Sequence, residues 1–238
     1  MEDTAIVVCL HGDEIFGLNL IKRILKKIQV FIGNPLAIEK RTRFIDADLN
    51  RVFPGKEDGN YEEKRAVYLL DKLKKFKYVV DIHSSSADTE LFGIITKPNK
   101  NKIELCKKLD LGKVVIMTQE FSKGKAMLDH LDCAVSLEIG PHERKENIEE
   151  TLKIINNSDK KNEHHNLRIF EVFDTIQGED EVKFFIKNFQ KVKKGDLIAE
   201  GKEKYYARFD FIALFVGEKA YKGVLCLASK EVPKSKFN

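Results

Sequence analysis

Two histidines and a glutamate follow short apolar runs in the sequence. His11 and Glu14 come directly after the run from Ala5 to Leu10, and His83 follows the run from Tyr78 to Val80. Such runs form buried parallel strands, and open α/β sheets bind their ligands at the ends of those strands. Two histidines and one carboxylate, with a fourth position left for water, make up a catalytic zinc shell. The pattern predicts one Zn²⁺ per chain, bound by His11, Glu14 and His83.

The H-x-x-E spacing is a weak signal when it stands alone. A histidine at a strand end is more often a capping or hydrogen-bonding residue than a metal ligand, because imidazole serves both purposes. The metal hypothesis gains weight because further polar motifs occur in order along the chain. The five motifs are His11-Gly12-Asp13-Glu14, Asn34-Pro35, the stretch Arg43 to Gly55 with its D-x-D-L-N-R-x-F-P-G string, Asp81-Ile82-His83 and Leu137-Glu138-Ile139-Gly140-Pro141.

In this order the five motifs resemble the aspartoacylase and succinylglutamate desuccinylase family, which belongs to the carboxypeptidase-like zinc hydrolases. The resemblance implies that Glu138 is the general base and that Arg43 stabilises the oxyanion. It also implies that Asn50 and Arg51 bind a substrate carboxylate, for which the planar guanidinium is well suited. Without the resemblance, a surface carboxylate and structural salt bridges would be the default interpretation of these residues.

The C-terminal part of the chain contributes one candidate to the site. The stretch Gly217-Glu218-Lys219-Ala220-Tyr221 resembles the family segment whose tyrosine reaches the substrate, which makes Tyr221 a substrate-binding candidate; a half-buried β-domain tyrosine is the alternative. Asp46, Asp48 and Asp81 are expected to orient Arg51 or a ligand histidine rather than to catalyse.

One region departs from the family pattern. In aspartoacylase a tyrosine and an arginine precede the base, whereas the segment from Phe121 to His130 holds Lys123 and Lys125 but no arginine or tyrosine. A lysine could supply the charge with looser geometry. Amide hydrolysis is therefore better supported than N-acetylaspartate as the particular substrate.

Composition narrows the class of protein. The 238 residues carry 42 basic and 38 acidic side chains, a net charge of +4, which gives no case for nucleic-acid binding. No leader and no run of about 18 apolar residues is seen, so a cytoplasmic protein without a membrane partner is expected. Four widely spaced cysteines are expected to be reduced and mostly buried.

Alternating strand and helix patterns predict an α/β fold with a mixed, mostly parallel central sheet flanked by helices, and the resemblance implies the zinc-carboxypeptidase type. One helix is expected through Leu18, Ile21, Leu25 and Ile28, and residues 41–55 are expected to form an ordered functional loop. Short strand-like runs near the C-terminus indicate an all-β unit. The predicted divisions are a catalytic domain at 1–157, a linker at 158–166 and a small β-domain covering the site at 167–238.

These observations predict a zinc-dependent amidohydrolase that removes the acyl group from an N-acyl amino acid, at first expectation one with an acidic side chain. A carboxypeptidase-like zinc peptidase or another amidohydrolase is the enzymatic alternative, because Asn50 and Arg51 would hold a peptide carboxylate equally well. A non-catalytic metal- or carboxylate-binding module is the alternative from another class. The acyl group, the amino acid, the physiological metal and homo-oligomerisation stay open.

Overall fold

The computed structural model describes residues 3–26, 28–118, 121, 123–142, 144–157 and 167–237. In this part of the chain the α-helices are α1 (Phe16–Ile21), α2 (Pro35–Lys40), α3 (Tyr61–Leu73), α4 (Lys100–Lys108) and α5 (Lys145–Asn157). Short 3₁₀ turns cover Leu49–Arg51, Met127–His130 and Lys234–Phe237. The predicted linker at 158–166 lies outside the described residues.

The strands form one large mixed sheet and one small sheet. They are β1 (Thr4–Val8), β2 (Gln29–Ile32), β3 (Tyr78–Ser85), β4 (Phe92–Ile95), β5 (Lys113–Ile116), β6 (Ala134–Pro141), β7 (Arg168–Gln177), β8 (Lys183–Phe184), β9 (Lys191–Val192), β10 (Leu197–Glu200), β11 (Lys204–Tyr206), β12 (Phe211–Leu214) and β13 (Val224–Val232). The large sheet has the order β2-β1-β3-β6-β4-β5-β7-β13-β12-β9, and the small one the order β11-β10-β8.

The strands that contain or precede the site motifs run in parallel. β1 pairs in parallel with both β2 and β3, and β3 pairs in parallel with β6. β4 is antiparallel to β6, while β4–β5 and β5–β7 are again parallel. The predicted fold class, a mixed and mostly parallel sheet with helices and additional C-terminal antiparallel strands, is confirmed.

The core consists of apolar layers on both faces of this sheet. Along β1 the side chains alternate: Ile6 and Val8 pack into one buried cluster, and Ala5 and Val7 pack into the other. Alternation is the consequence of strand geometry, in which successive side chains point to opposite faces. Burying one large aliphatic side chain contributes about 1.5 to 3 kcal/mol, so these layers hold the strand ends in place.

The helix α3 covers one face of the sheet because its sequence combines an N-terminal cap with an apolar stripe. Asn60 caps its first turn and forms a reciprocal capping box with Glu63. The buried residues Ala66, Leu69 and Leu73 recur at helical spacing and form the face that packs on the sheet.

The first helix is shorter than predicted. α1 ends at Ile21, whereas the apolar spacing predicted a helix that continued to Ile28. Asn156 explains the difference, because its side chain accepts a hydrogen bond from Leu25 N and donates one to Arg23 O. These tertiary contacts use backbone groups that a continuous helix would need for itself.

The C-terminal strands continue the central sheet. β7 pairs in parallel with β5 on one side and antiparallel with β13 on the other. The sheet therefore runs across the boundary predicted between the two domains, and the division into a catalytic domain and a β-domain stays a prediction. Within the described residues, no helix combines the length and the apolar character needed to cross a membrane.

Candidate metal centre and adjoining cavity

Three neighbouring strands bring the predicted site residues together. His11 and Glu14 lie in the turn that follows β1, His83 lies in β3, and Glu138 lies in β6. His83 and Glu138 are directly opposite each other in the parallel pairing of β3 with β6. The carboxyl ends of β1, β3 and β6 thus meet at one edge, which is where an open α/β sheet binds its ligands.

The two candidate ligand histidines converge on one carboxylate. His11 Nδ1 lies 2.8 Å from Glu14 Oε1, and His83 Nδ1 lies 3.1 Å from Glu14 Oε2. The two imidazole rings are 5.0 Å apart between centroids. All three side chains are buried, and one donor atom from each lies within 4.8 Å of the others. This donor set and spacing fit a divalent ion that accepts imidazole and carboxylate ligands.

The opposite nitrogen of each ring also meets a carboxylate. His11 Nε2 lies 3.2 Å from Asp48 Oδ1, and His83 Nε2 lies 2.6 Å from Asp81 Oδ2. Ser136 donates a further hydrogen bond to Asp81 Oδ2 over 3.1 Å. Carboxylates in this position fix the ring orientation and direct Nδ1 inward, as in the outer shell of metal sites. Asp48 and Asp81 thus contact ligand candidates as expected, whereas Asp46 accepts from Tyr61 N at the start of α3.

The electrostatics of the cluster follow from burial and from these partners. Burial alone would lower the pKa of His83, but the carboxylates of Asp81 and Glu14 outweigh it and raise that pKa well above its ordinary value. The pKa of His11 is raised in the same manner, against burial, by Glu14 and Asp48. Burial would raise the pKa of Glu14, yet the two imidazoles hold it well below the usual range. The cluster therefore keeps Glu14 ionised as an anionic donor.

The turn that carries His11 is fixed by a close approach at Gly12. Gly12 N donates to Arg43 O over 3.0 Å, which ties the turn to the Arg43 loop. A Cβ at this position would lie 2.3 Å from the backbone carbon of Ala37 and 2.4 Å from Thr42 O. Only glycine fits where the turn that carries His11 passes α2 and Thr42.

Glu138 is buried beside the cluster with free hydrogen-bonding capacity. Its side chain is 6% exposed, and among the described residues its Oε1 atom has no hydrogen-bond partner. Burial raises the pKa of Glu138 to about 8, with Glu14 and Glu218 adding to the rise and His83 opposing it. A buried carboxyl group with an unpartnered oxygen is suited to exchange a proton with a bound molecule.

Arg43, Asn50 and Arg51 are held in a loop organised by one buried glutamate. Glu62, which is 0% exposed, accepts hydrogen bonds from the backbone N–H groups of residues 45, 46 and 47 and from Asn34 Nδ2. The Arg43 guanidinium lies 3.0 Å from His11 Nε2 and also contacts Asp48. Asn50 Oδ1 accepts from Met127 N over 2.9 Å, which fixes the orientation of its amide.

A second buried glutamate, Glu218, fixes the segment that carries Tyr221 beside the cavity. Glu218 accepts from Ser86 N and Ser86 Oγ, each at 2.9 Å, and from Ala87 N at 3.2 Å. It thereby fastens the Tyr221 segment to the loop that follows β3. Tyr221 packs edge-on against Phe215, and burial raises its pKa to about 12.

One cavity of about 430 Å³ brings these side chains together. Every residue predicted for the site lines it: His11, Glu14, His83, Glu138, Arg43, Asn50, Arg51 and Tyr221. Lys123 and Lys125 are exposed and are absent from the described residues that line the cavity. Sequence reasoning missed the supporting glutamates, Glu62 and Glu218. Glu62 lies in the first turn of a helix beside a second glutamate, and Glu218 lies in the stretch singled out for Tyr221, so neither position indicated a supporting role.

The fold and the site together define the class of protein. It is an α/β protein with a mostly parallel sheet, whose strand ends bring two histidines and a glutamate together beside a cavity as a candidate metal centre. Residues 1–159 match the family model described as the succinylglutamate desuccinylase/aspartoacylase catalytic domain. The chain therefore belongs to the succinylglutamate desuccinylase/aspartoacylase family.

Individual relatives agree with this assignment. The chain is 35% identical over 105 residues to a probable aspartoacylase of Prochlorococcus marinus (strain MIT 9301) and 31% identical over 99 residues to an N-acyl-aromatic-L-amino acid amidohydrolase (carboxylate-forming) of Xenopus tropicalis. The matches cover 35% and 33% of this chain. They span 34% and 32% of the length of the two relatives.

Solved structures with the same fold match over nearly the whole chain. Murine aminoacylase 3 superposes with a TM-score of 0.80 at 18% identity, covering 96% of this chain and 95% of that one. A succinylglutamate desuccinylase/aspartoacylase from Rhodobacter sphaeroides gives a TM-score of 0.75 at 15% identity, covering 98% and 87%. At these identities the likeness shows the fold.

Proposed function

We propose that this protein is a zinc-dependent amidohydrolase that cleaves the amide bond of an N-acyl amino acid. The observation that carries the proposal is the position of Glu138 next to the His11, Glu14 and His83 cluster in one cavity; it is a buried carboxyl group, and one of its oxygens has no partner in the described part of the chain. The family of the chain supports the same class of reaction.

His11, Glu14 and His83 would hold the ion. Imidazole and carboxylate donors suit Zn²⁺, and three protein donors leave room for a further ligand, as in catalytic sites. A bound ion of this kind supplies Lewis-acid chemistry, which activates water and polarises a carbonyl group. Asp48 and Asp81 would keep the two imidazoles turned toward it.

Glu138 would take the proton from the attacking water and then deliver it to the leaving nitrogen. The first transfer makes the water nucleophilic, and the second prevents expulsion of an amide anion, so that the products are a carboxylate and a free amine. The raised pKa of Glu138 describes the protein without an ion, and the positive charge of a divalent ion would favour the ionised carboxylate that acts as base.

The arginines would bind charge at two places. Arg43, next to His11, would donate hydrogen bonds to the carbonyl oxygen as negative charge develops there, an effect of about 2.7 to 4 kcal/mol at other oxyanion sites. Arg51 and Asn50 would hold the substrate carboxylate by charge-assisted hydrogen bonds. Tyr221 would contact the substrate from the segment that Glu218 fastens.

The experiment is to measure amine release from N-acetyl, N-formyl and N-succinyl amino acids by the zinc-loaded protein, with Glu138→Gln as the inactive variant. Turnover that disappears in Glu138→Gln, while zinc stays bound at one per chain, is expected. A series of short peptides with free C-termini, assayed in parallel for release of the C-terminal residue, tests the peptidase alternative. Release of amine at equal rates by the wild type and Glu138→Gln would contradict the role of Glu138, and zinc binding without turnover on either series would favour a binding module.

A further inference from the structure

One side of the cavity is apolar. Six residues form this apolar wall: Ile94, Met117, Phe121, Phe215, Val224 and Leu227. The sheet fixes its position relative to the catalytic residues, since Ile94 pairs with Ser136 in β6 and Phe92 pairs with Glu138. The apolar wall therefore begins beside Glu138 and continues along the sheet toward the C-terminal strands.

The apolar wall is held in place by packing. All six of its residues belong to, or pack against, one apolar cluster whose buried members include Val115 and Phe170. Phe215 is further fixed by edge-on contacts with Phe92 and Tyr221. Four wall residues, Ile94, Met117, Phe121 and Val224, stay partly exposed although they line the cavity. The cavity thus has an apolar surface available for a bound group.

The charges around the cavity limit what can lie there. The cations that line it are Arg43, Arg51 and Lys222. Arg43 already contacts Asp48, and Lys222 is exposed at the surface. Arg51, in contrast, forms no ion pair with a carboxylate in the described part of the chain. Among the described residues the cavity therefore offers one guanidinium without an ion pair, which matches one carboxylate, whereas a pair with the water-exposed Lys222 would contribute little.

A second carboxylate on the substrate would meet either the water-exposed Lys222 or the apolar wall. The polar residues that line this region, such as Thr96, Ser136 and Thr175, are neutral hydroxyls. An ionised group without a cationic partner is costly to remove from water, whereas an apolar group gains free energy when it covers apolar surface.

We propose that the substrate carries a single carboxylate and presents an apolar group to the apolar wall. The inference rests on the proposed amidohydrolase function and narrows its substrate class to N-acyl amino acids with an apolar side chain or an apolar acyl group. Both kinds of substrate present a hydrocarbon or aromatic surface on one side of the scissile amide. An acidic side chain, in contrast, is disfavoured.

Four substrates test this class with zinc-loaded wild-type protein. N-acetyl-alanine is the reference, N-acetyl-phenylalanine adds an apolar side chain, N-benzoyl-alanine adds an apolar acyl group, and N-acetyl-aspartate adds a second carboxylate. The expected kcat/KM is at least about tenfold above the reference for one of the two apolar substrates, since burial of an aromatic ring supplies such a factor. Whichever of the two gains identifies the group that the wall binds.

The highest kcat/KM on N-acetyl-aspartate, or no gain from either apolar group over N-acetyl-alanine, would overturn the inference and leave the proposed function standing. Failure of all four amides would count against the proposed function itself. In that case the binding of N-acetyl-phenylalanine and N-acetyl-aspartate to Glu138→Gln, measured by calorimetry, still tests the wall: tighter binding of the apolar ligand supports it, and tighter binding of the acidic one overturns it.

Met117 allows a matched pair of variants on the wall. Met117→Arg adds a guanidinium to the apolar wall and is expected to shift the kcat/KM ratio between N-acetyl-aspartate and N-acetyl-phenylalanine at least about tenfold toward the acidic substrate. Met117→Leu keeps volume and polarity and is expected to leave the ratio within about threefold. An unchanged ratio in a Met117→Arg protein with a normal melting curve would overturn the inference.

Discussion

Each candidate ligand histidine lies between two carboxylates. One is the shared Glu14, and the other, Asp48 or Asp81, contacts the Nε2 side of the ring and can be tested separately. Asp81→Asn replaces the carboxylate that lies 2.6 Å from His83 Nε2 with a neutral amide. We expect zinc affinity, measured by chelator competition, to fall about 10- to 100-fold, the usual effect of removing an outer carboxylate. Asp46→Asn is the control, because Asp46 contacts the N-terminus of α3 and neither histidine. Equal zinc affinity in Asp81→Asn and the wild type would contradict the positioning role of Asp81.

The cysteines lead to a prediction about thiol reactivity. All four are free and buried, and burial raises the pKa of both Cys9 and Cys226 to about 12. Because the thiolate is the reactive form, we expect native protein at pH 8 to react very slowly with a disulfide reagent and denatured protein to react at once with four thiols. Rapid labelling of the native protein would contradict the burial of these side chains.

At the residue scale, the sequence indicated which inner side chains lie together and missed their supports. His11 and His83 could be selected because each follows an apolar strand pattern, and strand ends of a parallel sheet meet. Glu138 was selected through the resemblance of its motif, and the roles of these residues stay predictions. The contacts of Asp48 and Asp81 could be anticipated from the same motifs. Glu62 and Glu218 could not, since their hydrogen bonds join segments far apart in sequence, such as Ser86 with Glu218.

The loop between α2 and α3 depends on one side chain of α3. Glu62→Gln keeps the shape of the buried side chain but removes the charge that accepts three backbone N–H groups and the Asn34 amide. We expect the free energy of unfolding to fall by about 2 kcal/mol, since hydrogen bonds to charged groups are among the stronger ones. We also expect KM to rise, because Asn50 and Arg51 lie in the loop that Glu62 holds.

The neighbouring residue provides the control for this prediction. Glu63→Gln alters the capping box of α3 without touching the backbone of residues 45–47. Denaturant unfolding should give a smaller loss of stability for this variant, and KM should stay at the wild-type value. If both variants had equal effects on KM, the loop would not depend on Glu62.

At the scale of elements, prediction succeeded where local pattern and tertiary contacts agree. The helix α3 was predictable because its buried stripe and its cap coincide. The helix α2 was missed although Asn34 and Pro35 form a typical helix start, because the same dipeptide also ends a strand. The length of α1 was wrong because Asn156, distant in sequence, binds the backbone at Arg23 and Leu25.

At the scale of the whole molecule, the C-terminal strands complete the sheet on which the site depends. A chain ending at residue 157 would lack β7 and leave the edge of β5 unpaired. It would also expose Phe92 and Val115, which pack with Phe170 in one cluster. We expect this truncated chain to lose cooperative thermal unfolding and to aggregate.

A chain that lacks only residues 234–238 is the control, because it removes a surface 3₁₀ turn and no strand. It should stay soluble and unfold in one transition by calorimetry. Cooperative unfolding of the chain 1–157 would contradict the role of β7 in the sheet and would favour two independent domains.

The pairing of β7 with β5 could not be predicted from sequence. The C-terminal runs were recognised as strands because apolar residues alternate between turn signals, but alternation does not identify the neighbouring strand. Lys113 and Arg168, the first paired residues, are far apart in sequence, with β6 and α5 between them. The sheet order is therefore a property of the packed molecule rather than of any local segment.

The residues that line the cavity come from two parts of the chain. The candidate metal ligands and Glu138 come from residues 11–138, whereas Phe215, Val224 and Leu227 of the apolar wall come from strands and turns near the C-terminus. Changes in the second region can alter which molecules fit without touching the candidate metal ligands or Glu138. Gene duplicates could thus keep the same candidate metal ligands and acquire different specificities through hydrophobic replacements in the C-terminal part of the coding sequence.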